Sequence, residues 1–143
     1  MSENTELLQF VHKNVEMGRE TIPKVKELVE EPEFRRALDG QLEEYNKIAA
    51  QTEAAICRRG AEPQEPGQLS EAMSSLMLRM KTLADPSPSH IAEMMIQGST
   101  MGVVQMTRRI HELKDRGDRE AVDLACRLLK TEENNIKQLK SFL

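Results

Sequence analysis

The stretch LLKTEENNIKQL, residues 128–139, decides how this chain is interpreted. Its apolar residues recur at the spacing of one helix face, yet the polar pair Glu132 and Asn135 falls on that same face. Side chains three or four residues apart are neighbours on a helix surface, so this step keeps the two groups together. The stretch therefore predicts a helix that turns a carboxylate and an amide toward the protein core.

The composition of the whole chain is typical of an all-α domain. The chain has 143 residues, enough to bury a core; aromatic residues make up 3% of it and methionine occurs nine times. Its abundant Glu, Lys, Arg, Leu, Met and Ala favour helices, and no alternation of apolar and polar residues predicts a strand. We therefore expect one helical domain over residues 1–143, with a core of aliphatic side chains and methionine.

Apolar spacing, prolines and glycines divide the chain into five predicted helices. Pro32 and Pro88 suit the first turn of a helix, and Gly117 suits the position just after a helix end. The predicted helices cover about residues 4–31, 33–59, 68–84, 88–116 and 118–142. Short connections make the first and second helices, and the fourth and fifth, antiparallel hairpins.

The connection between the two hairpins leaves the topology open. It is long and contains the short helix predicted at residues 68–84. A connection of this kind can carry the chain back along the bundle, so that the second and fourth helices run parallel. The alternative is a plain up-down bundle of five helices.

Two Glu-x-x-Asn steps, Glu43 to Asn46 and Glu132 to Asn135, lie in the second helix of each hairpin. With these steps and this hairpin plan, the chain resembles the ferritin-like four-helix bundle superfamily, whose di-iron members carry Glu-x-x-His. The resemblance is to a degenerate member that lacks the di-iron ligands. It implies an all-α, ferritin-like up-down-down-up four-helix bundle with a short crossover helix, without ferroxidase, oxygenase or iron-storage activity.

The ligands of a di-iron site are missing from the predicted core. A helical wheel at about 100° per residue turns Glu43 and Asn46 outward and leaves Glu132 as the inward carboxylate. The three histidines are scattered without the spacing of metal ligands, at His12, His90 and His111. We therefore expect no metal, no cofactor and no catalytic residue.

A group of polar residues and glycines is predicted near the middle of the bundle. Counted from the hairpin turns, Glu132 is level with Gly98 and Gly102, and Tyr45 is level with Gly18. One interpretation is a small ligand pocket, with Gln41, Tyr45, Gly98, Gly102, Glu132 and Asn135 as its binding residues. The other is close helix packing, in which Tyr45 or Glu132 fills the space above a glycine and hydrogen bonds across the bundle.

The short third helix carries an apolar stripe formed by Met73, Leu76, Met77 and Met80. Methionine adapts its shape to different partners, so this stripe is a candidate surface for a protein partner or for self-association as a dimer. It is equally a candidate cover for the bundle's own core.

Nucleic-acid binding and membrane insertion are not expected. The net charge is −4, the basic doublets are matched by acids, and few aromatic residues are present to stack on bases. No apolar run approaches the ~18 residues of a membrane span. The polar start MSENTELL is unlike a secretion signal, and Cys57 and Cys126 suit a reducing compartment as unreactive surface thiols. We therefore expect a cytoplasmic protein.

Three functions follow from these observations. The first is that of a non-enzymatic interaction or structural protein. The second is a small-ligand binder with a central pocket near Tyr45 and Glu132. The third, from the enzyme class, is a degenerate metal-dependent oxidase.

Overall fold

Five α-helices make up the part of the chain that the structure describes. The computed structural model describes residues 2–64, 71–82 and 86–143, without the side chains of residues 71–73 and 81. The helices are α1 (Glu3–Lys26), α2 (Pro32–Arg58), α3 (Glu71–Lys81), α4 (Pro88–Leu113) and α5 (Arg119–Lys140). No strand occurs in these ranges, which confirms the all-α prediction. None of the described helices is long and apolar enough to cross a membrane.

The first helix ends at Lys26, earlier than the predicted Glu31. The last carbonyls of a helix have no donor within the helix, so they need one from elsewhere. Arg35 supplies it, because its guanidinium donates to the carbonyls of Lys26 at 2.7 Å and Val29 at 2.8 Å. A side chain from the next helix therefore donates hydrogen bonds to the backbone carbonyls near the end of α1. The spacing of apolar residues could not indicate this contact.

The other predicted boundaries differ from the structure by a few residues. The fourth helix ends at Leu113 rather than at Arg116. Asp118 caps α5, and its side chain accepts a hydrogen bond from the Ala121 N–H at 2.8 Å. Residues 68–70 and 83–84, which the prediction included in the third helix, lie outside the described residues.

Contacts between paired helices give their relative directions. From α1 to α2 these contacts are His12–Glu53, Arg19–Asn46 and Lys26–Asp39. From α2 to α5 they are Gln41–Gln138, Tyr45–Glu132 and Arg59–Asp118. In both sets residue numbers rise along one helix as they fall along the other, so both pairs of helices are antiparallel.

The fourth helix packs against α5, α1 and α3. Its connection to α5 is short, and near its end Arg109 lies 4.6 Å from the ring centre of Phe10, which belongs to the first half of α1. The four long helices share a core cluster of buried side chains, to which α3 adds Leu76 and Met80. The middle of this core is where the polar residues of α2 and α5 meet.

An ion-pair cluster fixes the end of α2 against the start of α5. Arg59 donates to both carboxylate oxygens of Asp118 at 2.9 Å and to Glu120 at 2.7 Å. Burial tends to raise the pKa of Asp118, but hydrogen bonds from Arg59 and from the Ala121 amide outweigh it and lower that pKa. Because its pKa is lower in the folded state, Asp118 stabilises the fold at pH values above its unfolded pKa. This stabilisation is lost as the pH falls through the folded pKa. This cluster holds the register in which Tyr45 faces α5.

The apolar stripe of α3 faces the bundle, which corrects its prediction as a partner surface. Leu76, Met77 and Met80 are buried, with exposed fractions of 5%, 7% and 2%. The side chain of Met73 lies outside the described residues. The side chain that α3 leaves exposed is Leu78, at 63%. The described part of the stripe covers the protein's own core, because the bundle would otherwise leave apolar surface open along α4.

Candidate functional site

A cavity of about 190 Å³ lies in the middle of the bundle. Five of the six residues proposed from the sequence line it: Gln41, Tyr45, Gly98, Gly102 and Glu132. Asn135, the sixth, does not line the cavity but is buried directly behind it and contacts Tyr45. The fold thus brings together residues from α2, α4 and α5 that the sequence placed at one level.

A chain of hydrogen bonds forms the polar side of the cavity. The hydroxyl of Tyr45 donates to Glu132 Oε1 at 2.6 Å, and Asn135 Nδ2 donates to the Tyr45 oxygen at 3.2 Å. Ser99 of α4 also hydrogen bonds Glu132. Tyr45, Glu132 and Asn135 are 5%, 7% and 6% exposed, so these bonds form largely away from water. Hydrogen bonds in such surroundings are stronger than in water, and leaving one unmade is correspondingly costly.

Burial dominates the protonation behaviour of this pair. It raises the pKa of Glu132, and hydrogen bonds from Tyr45 and Ser99 offset only part of that effect. Burial, followed by the charge of Glu132 and the hydrogen bond to it, raises the pKa of Tyr45 well above its usual range, against a smaller lowering effect of Asn135. The phenol therefore stays protonated at neutral pH and serves as a donor to the carboxyl group.

Two of the three glycines level with this pair, Gly18 and Gly102, have different roles. A Cβ atom on Gly18 would lie 2.6 Å from Cε2 and 2.9 Å from Cδ2 of Tyr45, so the phenol ring rests directly on the α1 backbone. A Cβ atom on Gly102 would lie 4.0 Å from Cδ of Glu132, at ordinary contact distance. Close packing thus explains Gly18, whereas Gly102 leaves space that belongs to the cavity.

Methionine and a few residues that the sequence analysis missed complete the wall. The methionines are Met17, Met80, Met95 and Met101. The missed polar residues are Lys13, Asn14, Thr21, Ser99 and Gln105. Ser99 could have been found, because it lies three residues before Gly102 and shares its helix face. Lys13 and Gln105 are exposed residues at the rim, and the sequence carries no signal that sets them apart.

A second polar cluster, formed by His12, Glu16 and Glu53, lies between α1 and α2. His12 Nε2 is 3.0 Å from Glu53 Oε1 and 3.7 Å from Glu16 Oε1, and the histidine is 5% exposed. One ligand atom from each residue lies within 4.8 Å of the others, which is close enough to surround a cation. The spacing of the histidines along the chain does not reveal this cluster, because Glu53 comes from another helix.

The environment of His12 nevertheless suits a hydrogen bond better than a metal ion. Its Nδ1 atom is buried without a hydrogen-bond partner. If Nε2 held a metal, Nδ1 would carry the proton and would have no acceptor, whereas metal-bound histidines almost always have one. Glu16 is also paired with Arg19. We assign the donating proton to Nε2, which hydrogen bonds to Glu53, because a proton on the buried Nδ1 would be an unpaired donor.

The central cavity does not fit a di-iron centre. Such a centre requires four inward carboxylates and two histidines. Among the described lining residues, Glu132 is the single carboxylate and no histidine accompanies it. Glu43 and Asn46 are exposed, in agreement with the helical wheel.

Comparison with known proteins shows a similarity of fold. No protein-family model matches the chain, and no curated protein matches it. The solved structure of YcfI from Rhodopseudomonas palustris is similar over 99% of this chain and 94% of its own, with a TM-score of 0.79 and 16% sequence identity. YcfI is described, provisionally, as a structural protein. At this identity the comparison shows a shared all-helical fold.

We expect Gly18→Ala to destabilise the protein, although alanine favours helices. The added methyl group would meet the Tyr45 ring, and overpacking of this kind costs about 1–3 kcal/mol. Gly40→Ala in α2 is the matched control, since nothing lies within 4 Å of its Cβ position. The control should gain about 0.5–1 kcal/mol from helix propensity alone. Urea denaturation measures both changes, and equal gains would mean that Tyr45 does not pack on Gly18.

We expect Glu132→Gln to raise the free energy of unfolding at neutral pH by roughly 1 kcal/mol. Because the folded pKa of Glu132 is raised, the stabilisation linked to this group is complete below the unfolded pKa and lost as the pH rises through the folded pKa. Glutamine keeps an acceptor for Tyr45 without the charge, so its advantage should disappear near pH ~4.

The measurement is denaturant unfolding at several pH values. Glu133→Gln is the control, because Glu133 is an exposed neighbour on the same helix. A large loss of stability in Glu132→Gln at neutral pH would show that the ionised carboxylate stabilises the fold, contrary to the expectation.

Proposed function

We propose that the protein is a non-catalytic binder of a small organic molecule, which occupies the cavity beside Tyr45 and Glu132. The observation that carries this proposal is the cavity of about 190 Å³, which is lined by Tyr45 and Glu132 together with four methionines. Apolar walls with a few convergent polar groups are the usual character of ligand sites. An engineered cavity of about 150 Å³ accepts benzene, so this space suits a molecule of one ring and a short substituent.

The chemistry of the site supports binding rather than catalysis. The two ionisable groups at its polar end, Tyr45 and Glu132, are hydrogen bonded to each other. The two cysteines are exposed, and burial together with the charge of Asp123 raises the pKa of Cys126. A nucleophilic thiol needs a lowered pKa, so this change is in the wrong direction.

The protein's topology is proposed to be the ferritin-like up-down-down-up arrangement. The antiparallel contacts of α2 with α1 and with α5 support it, as does the short connection between α4 and α5. Asn4, at the start of α1, accepts a hydrogen bond from the Asp118 N–H at 2.8 Å, which supports parallel directions for α1 and α5. In this arrangement α3 lies in the crossover between the two hairpins.

The protein's location is proposed to be the cytoplasm, because two exposed thiols suit a reducing compartment.

A fragment titration followed by amide NMR tests the ligand-binding proposal. We expect saturable shifts at the amides of Ser99 and Gly102 with small aromatic and aliphatic fragments. Gly102→Leu should abolish these shifts, because its side chain would occupy the cavity next to Glu132. Val104→Leu, an exposed position on the same helix, should leave them unchanged. The ligand-binding proposal is wrong if no amide shifts occur, or if they persist in Gly102→Leu.

A structural or interaction role is the second candidate, and the description of YcfI favours it. Among the residues whose side chains the structure describes, the large apolar ones that are exposed are Leu78, Val104 and Leu143, at 63%, 47% and 60%. Single exposed apolar residues are normal on monomers, so they favour association only if they act together.

Sedimentation equilibrium separates this candidate from the first. The ligand-binding proposal requires no self-association, and the mass of one chain is 16.3 kDa. A mass that rises with concentration and returns to the monomer value in Leu78→Ser would favour the interaction role. Leu143→Ser is the control for a general loss of surface hydrophobicity.

A further inference from the structure

We propose that the ligand of the central cavity is an organic cation, a primary or secondary ammonium group on a small apolar body, whose N–H groups donate to Glu132. This inference rests on the proposed ligand-binding function and names the chemical class of the ligand. Its basis is a buried carboxylate, Glu132, that lines the cavity and has only neutral hydrogen-bond partners among the described residues.

The partners of Glu132 leave part of its acceptor capacity unused. An ionised carboxylate offers about four acceptor sites on its two oxygens. Tyr45 occupies one of them at 2.6 Å, and Ser99 provides a second hydrogen bond. Both donors are neutral hydroxyl groups. Because Glu132 also lines the cavity, the remaining sites are available to a bound molecule.

No protein cation neutralises this carboxylate within the described part of the chain. The contacts of Glu132 are hydrogen bonds, and no charged neighbour contributes to its pKa. Lys13, the one cationic residue among the described lining residues, is exposed at the rim. A buried charge without an opposite partner is unfavourable, and folding already removes Glu132 from water before any ligand binds. A ligand that carries a positive charge to this position therefore gains attraction without desolvating the carboxylate again.

The rest of the cavity matches the apolar body of such a ligand. Methionine side chains form its walls, and their flexible thioethers adapt to irregular shapes. A cavity of roughly 150 Å³ holds benzene. The volume of about 190 Å³ is larger and leaves room for a short substituent on such a ring. A ring with a two-carbon amine is therefore a suitable probe, with its ammonium at Glu132 and its ring against Met17 and Met101.

Other ligand charges fit this position less well. An anionic ligand would meet the charge of Glu132 at close range in a region of low dielectric. A neutral alcohol could donate one hydrogen bond but would leave the carboxylate uncompensated. The expected order of affinity is therefore amine, then alcohol, then carboxylate, for molecules of equal shape.

Isothermal titration calorimetry with three matched probes tests this order on the full chain at neutral pH. The probes are 2-phenylethylamine, 2-phenylethanol and phenylacetate. We expect the amine to bind at least about tenfold more tightly than the alcohol, a difference of about 1.4 kcal/mol, because the ammonium adds the attraction of an opposite charge to its hydrogen bond with Glu132. Phenylacetate should not bind measurably.

Two variants connect the preference to Glu132 and to the cavity. Glu132→Gln should weaken binding of the amine far more than binding of the alcohol and so remove the preference for the amine, whereas Glu133→Gln should change neither affinity. Gly102→Leu should weaken both probes, because it fills the space that they share. If Glu132→Gln fails to fold, the comparison of amine with alcohol on the wild-type chain still decides the question.

The possible failures are distinguishable. Equal affinity for amine and alcohol, with both lost in Gly102→Leu, would overturn the cationic inference and leave the ligand-binding function standing. Amine binding that is insensitive to both variants would place it on the surface and would also overturn the inference. If no probe binds, the inference fails, and the fragment titration decides separately whether the proposed function fails with it.

Discussion

The hydrogen bond from Tyr45 to Glu132 is the constraint on which the middle of this bundle depends. It joins α2 to α5 at 2.6 Å inside the core, where both partners are almost fully buried. Neither group can lose the other without leaving a polar atom unpaired away from water. The Arg59 cluster at the end of the same two helices fixes the register in which they meet. The position of Glu132 beside the cavity follows from these two contacts together.

The same hydrogen bond also determines how the two seam glycines are used. Tyr45 has to reach across the bundle to Glu132, and its ring then lies against α1, where only a residue without a side chain leaves room. At Gly102, the carboxylate stays a full contact distance away and open space remains. Close packing and an open cavity, which are alternatives in sequence terms, therefore occur together, the first at Gly18 and the second at Gly102.

The polar interior shows where sequence reasoning reached its limit. The step from Glu132 to Asn135 lies within one helix, so its shared face could be predicted from spacing alone. The His12 cluster joins α1 to Glu53 of α2, and the apolar stripe of α3 is covered by the bundle rather than presented to a partner. Both depend on which helix packs beside which, and a helical pattern does not contain that information.

The sequence by itself determined the helices, the inward face of α5 and the residues that meet at the bundle's middle, because apolar periodicity and prolines act locally. It also predicted the absence of a di-iron core, since the ligands do not lie on the predicted inward faces. Tertiary structure alone decided that Tyr45 contacts Glu132, that Ser99 joins them and that a cavity remains beside Gly102. These features depend on small differences in the distances between helices, and those distances are set by the packing of the whole core.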